Sequence, residues 1–312
     1  MATIYTEIPN NFNDIKPFVK SDVKEIINIF FHAKRIVFYD ACSFQRHSNL
    51  EDKERSTLIK YFKKHGSIIC ITRCVLMELS SDFHKLAEEQ INFIKSINEA
   101  GITVVIFNEE YTYNILSECF STNEKINEYL VWAVRNVISP VSTIQETLKK
   151  DAKLYSEIVE AKNIKQSSLY NNFFKEARKN KEHGDNLGEE LIAICVQILS
   201  YLLGVADGKL CVLTDDKGAA GKIDNAMKRI KLQYRGAKII LFSTPKLVQH
   251  MFQEKIIISE AEMIKLISNG SSGNIVVMGT TVYDLHVNDK ISMSSVELVK
   301  KIMEPNGINI VF

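Results

Sequence analysis

No apolar run in this 312-residue chain approaches the length of a membrane span. Met1 to Lys20 holds no apolar core of signal-peptide length either, so the expectation is a cytoplasmic protein without an export signal. Charge of one sign is also missing: 39 Lys and Arg against 38 Asp and Glu leave a net charge of +1. A nucleic-acid footprint, if present, therefore has to be local rather than spread over the chain. The six cysteines (Cys42, Cys70, Cys74, Cys119, Cys195 and Cys211) lack C-x-x-C spacing and mostly sit inside apolar runs. A chain of this size does not need disulfide staples, which leaves buried free thiols in a reducing compartment as the expectation. There is no G-x-G-x-x-G turn for a dinucleotide. Gly218-Ala-Ala-Gly221-Lys222 is too short for a phosphate-binding loop, and Ile223 stands where Ser or Thr would follow the lysine. Internal repeats and low-complexity tracts are absent as well.

What the chain does have is 46% hydrophobic residues arranged in short buried-strand runs separated by helical periodicity. Arg35-Ile-Val-Phe-Tyr-Asp40 reads as the first strand, partly β-branched and ending on acid. Ser67 to Ile71, Ile102 to Phe107, Leu210 to Thr214 and Ala237 to Phe242 read as four more. Between them the spacing predicts helices over Ser21 to Ala33, Glu51 to Lys64, His84 to Ala100, Gly184 to Leu203 and 219–232. A helix after strand two is capped by Thr72, and others open at Thr244-Pro245 and over 259–267. Five strands alternating with helices imply an α/β fold, a doubly wound parallel five-stranded sheet with order 3-2-1-4-5. Residues 1–18 read as a loosely ordered arm that leads into the first helix, and together they form a segment over 1–34. The body covers 35–267, with a helical insertion over about 108–183 that is broken near Pro140 and polar from Ser142 to Lys181. After the turn-rich Ser268-Asn-Gly-Ser-Ser-Gly273, a small C-terminal α+β appendage over 274–312 reads as strand (Ile275–Met278), helix (Ser292–Met303) and strand (Ile308–Phe312).

That order makes strands one and four neighbours at the topological switch point, where open α/β sheets bind ligands. Asp40 ends strand one, and Asp215-Asp216 ends strand four. Glu78 lies early in the helix after strand two. Asp185, Glu189 and Glu190 lie at the head of the helix leading into strand four, where Asp185 and Glu189 are four apart and can share one face. Four segments thus send carboxylates to one edge. Such a cluster repels itself unless it is protonated or binds cations, and all-oxygen donors suit Mg²⁺ or Mn²⁺. Each acid also has a plainer role. Asp40 and Asp185 can cap, Glu78 can be a solvated helix residue, Glu189 and Glu190 can answer a helix dipole, and one of Asp215 and Asp216 can be structural.

At these residues the chain resembles the PIN-domain nucleases. The family pattern is a hydrophobic strand ending in Asp, a V-x-x-E-L helix, an acid heading an apolar helix and a strand ending in (S/T)-x-D. Here it corresponds to Ile36-Val-Phe-Tyr-Asp40, Val75-Leu-Met-Glu78-Leu79, Gly188-Glu189-Glu190-Leu-Ile-Ala193 with Asp185 one turn earlier, and Thr214-Asp215-Asp216. The resemblance spans about Arg35 to Gln253. It implies a cytoplasmic endonuclease, most often a ribonuclease of single-stranded RNA, that hydrolyses phosphodiesters through an acidic Mg²⁺ or Mn²⁺ site. Asp40, Glu78 and Asp216 match its metal-binding positions, and the third acid is either Asp185 or Glu189. Asp215 is a further candidate ligand, and Thr214 orients the fourth strand's acid. Cys42 departs from the Ser, Thr or Asn usual two residues after the first Asp, and Ser43 stands next to it. Arg46 and Lys217, each just past a proposed acid, are candidates to hold the nucleic-acid backbone, and Thr214 and Ser43 are further substrate-binding candidates. His47, Lys222, Lys228, Arg229 and Lys231, and on the insertion Lys175, Arg178, Lys179 and Lys181, are further basic candidates. The expected partners are RNA and, for the appendage, a second copy or a regulatory protein, with no membrane. A haloacid-dehalogenase-like phosphatase would need a second Asp where Cys42 stands. A receiver domain would need an acceptor Asp where the third strand ends Phe107-Asn108. The remaining rival is a PIN-like scaffold without hydrolysis that binds RNA or a protein.

Overall fold

The structure is a computed structural model that describes residues 5–138, 142–216, 218, 221, 236–270, 273–281 and 289–312. The expected helix over 219–232, the break near Pro140, and Lys217, Lys222, Lys228, Arg229 and Lys231 lie outside the described residues. The first described residues are packed rather than loose. Ile15 is fully buried between two short 3-10 turns, Phe12–Asp14 and Lys16–Phe18. The Asn11 side chain donates to the Leu86 carbonyl at 3.0 Å and accepts from the Leu86 amide at 2.9 Å. These anchors, with the Asn10 amide donating to the His84 carbonyl at 2.8 Å, hold a segment whose polar residues and two prolines suggest a loose arm.

The body begins with β1 (Val19–Lys20) and α1 (Val23–His32), which Asp22 caps through the amides of Lys24 and Glu25. β2 (Arg35–Tyr39) is buried from Ile36 onward and leads into α2 (Ala41–Ser48) and α3 (Asp52–Lys64). β3 (Ser67–Thr72), α4 (Arg73–Leu79), α5 (Glu88–Glu99) and β4 (Val104–Phe107) follow. The helical stretch comprises α6 (Tyr111–Ser117), α7 (Asn123–Val137), α8 (Thr143–Lys150), α9 (Ala152–Ile158) and α10 (Leu169–Lys179). α11 (Leu187–Leu199), β5 (Leu210–Leu213), β6 (Ile240–Phe242), α12 (Thr244–Gln253) and α13 (Glu260–Ser268) complete the body.

Among the described residues the main sheet has six strands, ordered β1-β4-β3-β2-β5-β6, and every pairing is parallel. The fold class is therefore α/β with a parallel sheet, but the count and order need correcting: β1 adds an edge strand beside β4. Two residues are too short to show alternation, so only their pairing with Val104 and Val105 reveals the strand. β2 lies between β3 and β5, with Tyr39 level with Ile71 and Leu213. The carboxyl ends of three strands consequently meet at one place.

α11 explains why the insertion is more than an arm. Every residue from Leu187 to Leu199 except Glu189 is buried. A helix apolar on all sides needs partners on all sides. It packs against α4 and α6 as well as α7, α8 and α10. Leu130, Val134, Ile144, Leu148, Phe173 and Phe174, from three of those helices, are buried in the same core. The polar impression of 142–181 comes from the outer faces of short amphipathic helices.

The C-terminal appendage is an antiparallel sheet, β7 (Ile275–Thr280), β8 (Asp289–Met293) and β9 (Asn309–Ile310), ordered β8-β7-β9, with α14 (Ser295–Met303). Ser292 and Met293 belong to β8, and the helix starts only after the cap Ser294, whose hydroxyl accepts from the Glu297 amide. Gln249 of α12 docks the appendage, donating to the Ile308 carbonyl at 2.6 Å and accepting from the Ile310 amide at 2.9 Å. No helix among the described residues is long and apolar enough to cross a membrane.

Candidate functional site

β2 delivers Asp40 to the carboxyl edge of the sheet, where it is 2% exposed. Its Oδ1 accepts from the Ala41 amide at 2.8 Å, so the residue also caps α2. Its Oδ2 accepts from Thr214 Oγ1 at 3.0 Å and from the Cys42 thiol at 2.7 Å. The supporting bond that the Cys42 departure put in question is therefore made by the cysteine itself. Ser43 turns away and donates to Asp215 Oδ2 at 3.0 Å. Burial raises the Asp40 pKa, the three donors oppose the rise, and the charge of Asp216 adds to it.

β5 ends on two acids that face opposite ways. Asp215 accepts from the Thr244 amide at 2.7 Å, the Thr244 hydroxyl at 2.6 Å and Ser43, with Arg46 Nη1 at 3.4 Å. Burial works against its charge, but Arg46 and the donors prevail and hold its pKa down. Behind it runs a buried chain: His47 Nε2 lies 2.9 Å from Thr244 Oγ1, and Tyr39 Oη lies 2.9 Å from His47 Nδ1. Because the Thr244 hydroxyl donates to Asp215, Nε2 carries the proton and Nδ1 accepts from Tyr39. Burial keeps this ring neutral and lowers its pKa to about 4. Asp215 is thus tied into the scaffold that joins β5, α2 and α12. Arg46 is tied there too, since its guanidinium also donates to the Ile267 carbonyl. Asp216 is exposed on the other side, with its Oδ1 accepting from the Gly218 amide at 2.6 Å. Thr214 orients Asp40 and, by accepting from the Asp216 amide at 3.1 Å, the Asp216 backbone rather than the Asp216 carboxylate.

Thr72 caps α4 through the Val75 amide, and the helix carries Glu78 one turn later. The Glu78 carboxylate lies over the head of α11 in room that Gly188 leaves: a Cβ on Gly188 would come within 2.8 Å of both carboxylate oxygens. Burial pushes the Glu78 pKa up to about 7, with Asp40 and Asp185 adding and Lys181 opposing. Glu189, in the first turn of α11, is pushed further, to about 8, by burial and by the charges of Asp40, Glu78 and Asp216. Its Oε2 is buried without a hydrogen-bond partner. Glu190 points elsewhere, accepting from the amides of Thr143 and Ile144 at the start of α8.

Asp185 does not share a helix face with Glu189, because α11 begins only at Leu187. It sits in the preceding turn, where it accepts from the Glu182 amide at 2.7 Å, the Leu187 amide at 3.1 Å and the Lys181 ammonium. Lys181 also lies 3.0 Å from Glu78 Oε1. Three basic residues expected at a nucleic-acid surface are buried inside the protein: Lys181 here, His47 in the chain behind Asp215, and Arg178 in a network with Glu7, Glu109 and Glu110 at 3.0, 2.6 and 2.8 Å. Lys175 and Lys179 remain exposed.

The edge thus gathers Asp40, Glu78, Asp185, Glu189 and Asp216, while Asp215, Ser43 and Arg46 stand behind it as support. In its chemistry this donor set suits a hard divalent cation: all donors are oxygen, burial and neighbouring charge raise the pKa values of Asp40, Glu78 and Glu189, and one carboxylate oxygen is buried without a donor. As the side chains stand, no group of three or more His, Cys, Asp or Glu among the described residues is arranged to hold a metal ion. The structural roles of Lys181, Gly188 and His47 were not read from sequence, which offered Lys181 and His47 only as basic candidates for a nucleic-acid backbone and Gly188 only as part of the motif heading α11. The Lys181–Asp185 spacing of four was the available signal for the first, and a glycine directly before the family-matched acid was the signal for the second. No protein-family model, characterised protein or solved structure matches this chain.

Proposed function

We propose that the chain is a metal-dependent nuclease of PIN-like type that hydrolyses phosphodiester bonds of single-stranded RNA at the carboxyl edge of β2 and β5. The observation that carries this reading is the convergence of Asp40, Glu78, Glu189 and Asp216 on the switch point, with the buried oxygen of Glu189 left without a donor. Asp185 is saturated by its own turn, so Glu189 is assigned as the third acid. Asp40, Glu189 and Asp216, with Glu78 beside them, would hold Mg²⁺ or Mn²⁺, which supplies water activation and neutralises phosphate charge. The chain's own contribution is positioning. Thr214 and Cys42 aim Asp40, Gly188 admits Glu78, and the Asp215–Thr244–His47–Tyr39 chain holds the end of β5 against α2 and α12.

The test is cleavage of labelled single-stranded RNA, structured RNA and single-stranded DNA with Mn²⁺ or EDTA, comparing wild type with Asp40→Asn. Cleavage that needs Mn²⁺ and drops about 10²-fold or more in the variant is expected. An Asp40→Asn protein as active as wild type would refute the assignment. One observation favours a second reading, a non-hydrolytic scaffold that binds RNA or protein: Arg46, Arg178 and Lys181 are engaged internally rather than presented. Calorimetry with Mn²⁺ separates the two, since the scaffold would give no binding heat.

A further inference from the structure

The amino edge of the main sheet carries a concentration of charge of the opposite sign. Arg35 opens β2, level with Ser67 at the start of β3. It therefore lies at the far end of the strand that delivers Asp40, about 16 Å away at the rise of an extended chain. Arg35 is half-buried and lines a cavity of about 490 Å³. A guanidinium has five N–H donors. Among the described residues this one makes no ion pair and a single hydrogen bond, 3.4 Å to Tyr61 Oη. The acids near it are engaged elsewhere. Both oxygens of Glu254 lie 3.0 Å from His65 Nε2, and Lys64 Nζ is 3.0 Å from one of them. Asp207 is exposed and accepts from the Lys238 amide at 2.7 Å.

Two lysines line the same cavity. Lys209 is buried and donates to the Phe31 carbonyl at 3.2 Å, which leaves two of its three donors. Lys34 is exposed, and its stem runs over Gly66, where φ is +57° and a Cβ would stand 3.3 Å from the lysine Cδ. His65 adds no charge, because burial and then the charge of Arg35 lower its pKa. Among the described lining residues, three cations thus share the cavity with one carboxylate, Asp207, while Phe31 and Ile240 give it an apolar wall.

We propose that this cavity binds a phosphate dianion, free or as the monoester of a small molecule, with the phosphoryl oxygens on Arg35, Lys34 and Lys209. The arginine supplies a planar fork for two oxygens and the lysines supply point charges. Three cations against one carboxylate suit a dianion better than the single negative charge of a phosphodiester linkage. The cavity has room beyond the phosphoryl group, and Phe31 and Ile240 can take the carbon skeleton of a monoester. The site lies at the opposite edge from the acids and does not depend on the metal reading.

The test is calorimetry of the full chain at pH 8 in EDTA, titrating inorganic phosphate, adenosine monophosphate and a short single-stranded RNA without terminal phosphates. Wild type is compared with Arg35→Gln, Lys34→Gln and Asp40→Asn, each checked for folding by circular dichroism. Saturable binding of inorganic phosphate or of the monophosphate is expected, weakened about tenfold or more by Arg35→Gln and unchanged in Asp40→Asn. Tighter binding of the monophosphate would assign the site to an organic monoester, and equal or weaker binding to the free ion. No saturable binding of either, or binding that Arg35→Gln leaves intact, would overturn the proposal. Loss of binding in Asp40→Asn would place the anion at the acidic edge and overturn it too. RNA bound through Arg35 as tightly as the two dianions would overturn the dianion assignment. Should Arg35→Gln fail to fold, Lys34→Gln decides: a several-fold loss of phosphate affinity is support, and wild-type affinity is a refutation.

Discussion

Glu189→Gln should make the metal-free protein more stable, and more so at high pH than at low. The Glu189 pKa is raised from 4.5 to about 8 in the folded protein, first by burial and then by the charges of Asp40 and Glu78. A carboxyl with a raised folded pKa binds its proton more tightly in the native state than in the unfolded chain. Its contribution is therefore fully present below pH 4.5 and is lost as the pH rises toward 8. At about 1.4 kcal/mol for each pH unit, the whole interval sets an upper limit of about 5 kcal/mol. Solvent reaching a partly exposed side chain, together with rearrangement around the charge, reduces this to about 2 kcal/mol. Glutamine keeps the volume and removes the charge. In urea unfolding with EDTA, the stability difference between Glu189→Gln and wild type should therefore be about 2 kcal/mol larger at pH 8 than at pH 5. Comparing differences at two pH values cancels every titration the two proteins share. The same difference at both pH values would show that Glu189 is not held protonated by its neighbours, and the electrostatic description of the cluster would fail with it. In saturating Mn²⁺ the sign should reverse, because wild type then gains binding energy that the variant lacks.

Two further outcomes follow from the packing around the edge. Arg178→Met should destabilise the chain by about 3–5 kcal/mol, because Glu109, fully buried, would be left without its cation. Denaturant unfolding would measure this, and Arg178→Met combined with Glu109→Gln should recover much of the loss, so a double variant as unstable as the single one would count against the pair. Gly188→Ala places a Cβ within 2.8 Å of the Glu78 carboxylate and should cost about 1–3 kcal/mol while weakening Mn²⁺ binding. A variant with wild-type melting and wild-type Mn²⁺ affinity would show that Glu78 has other room.

The order of elements and the acids at the sheet edge were legible from the chain alone. Ile36 to Tyr39 and Leu210 to Leu213 are short, apolar and partly β-branched, and fit strands covered on both faces. Asp40 and Thr214-Asp215-Asp216 follow at once and have to leave that core at its carboxyl end. The all-round apolar character of α11 likewise announced a central helix with acids at its head, and the structure then showed Glu189 as its one unburied residue. The two-residue strand β1, the packed residues before it and the boundary between β8 and α14 were not legible, because each is held by a partner far away in the chain: Val104 for β1, Leu86 for Asn11, Ile275 for Met293.

The division of labour among the acids was decided only by the tertiary structure. Asp215 and Asp216 are adjacent and identical in type, and nothing local says which one faces Thr244 and Arg46 and which faces outward. Asp185 and Glu189 differ in role because one is enclosed by Lys181 and two amides while the other has an oxygen that no donor reaches. Cys42 took the supporting bond to Asp40 because its thiol shares that carboxylate oxygen with Thr214, 172 residues away. Residue type and strand order bring charges to an edge. Which charge is neutralised, capped or left free depends on side chains that meet only after the sheet has closed, because hydrogen bonds and ion pairs act over a few ångströms in space whatever the separation along the chain.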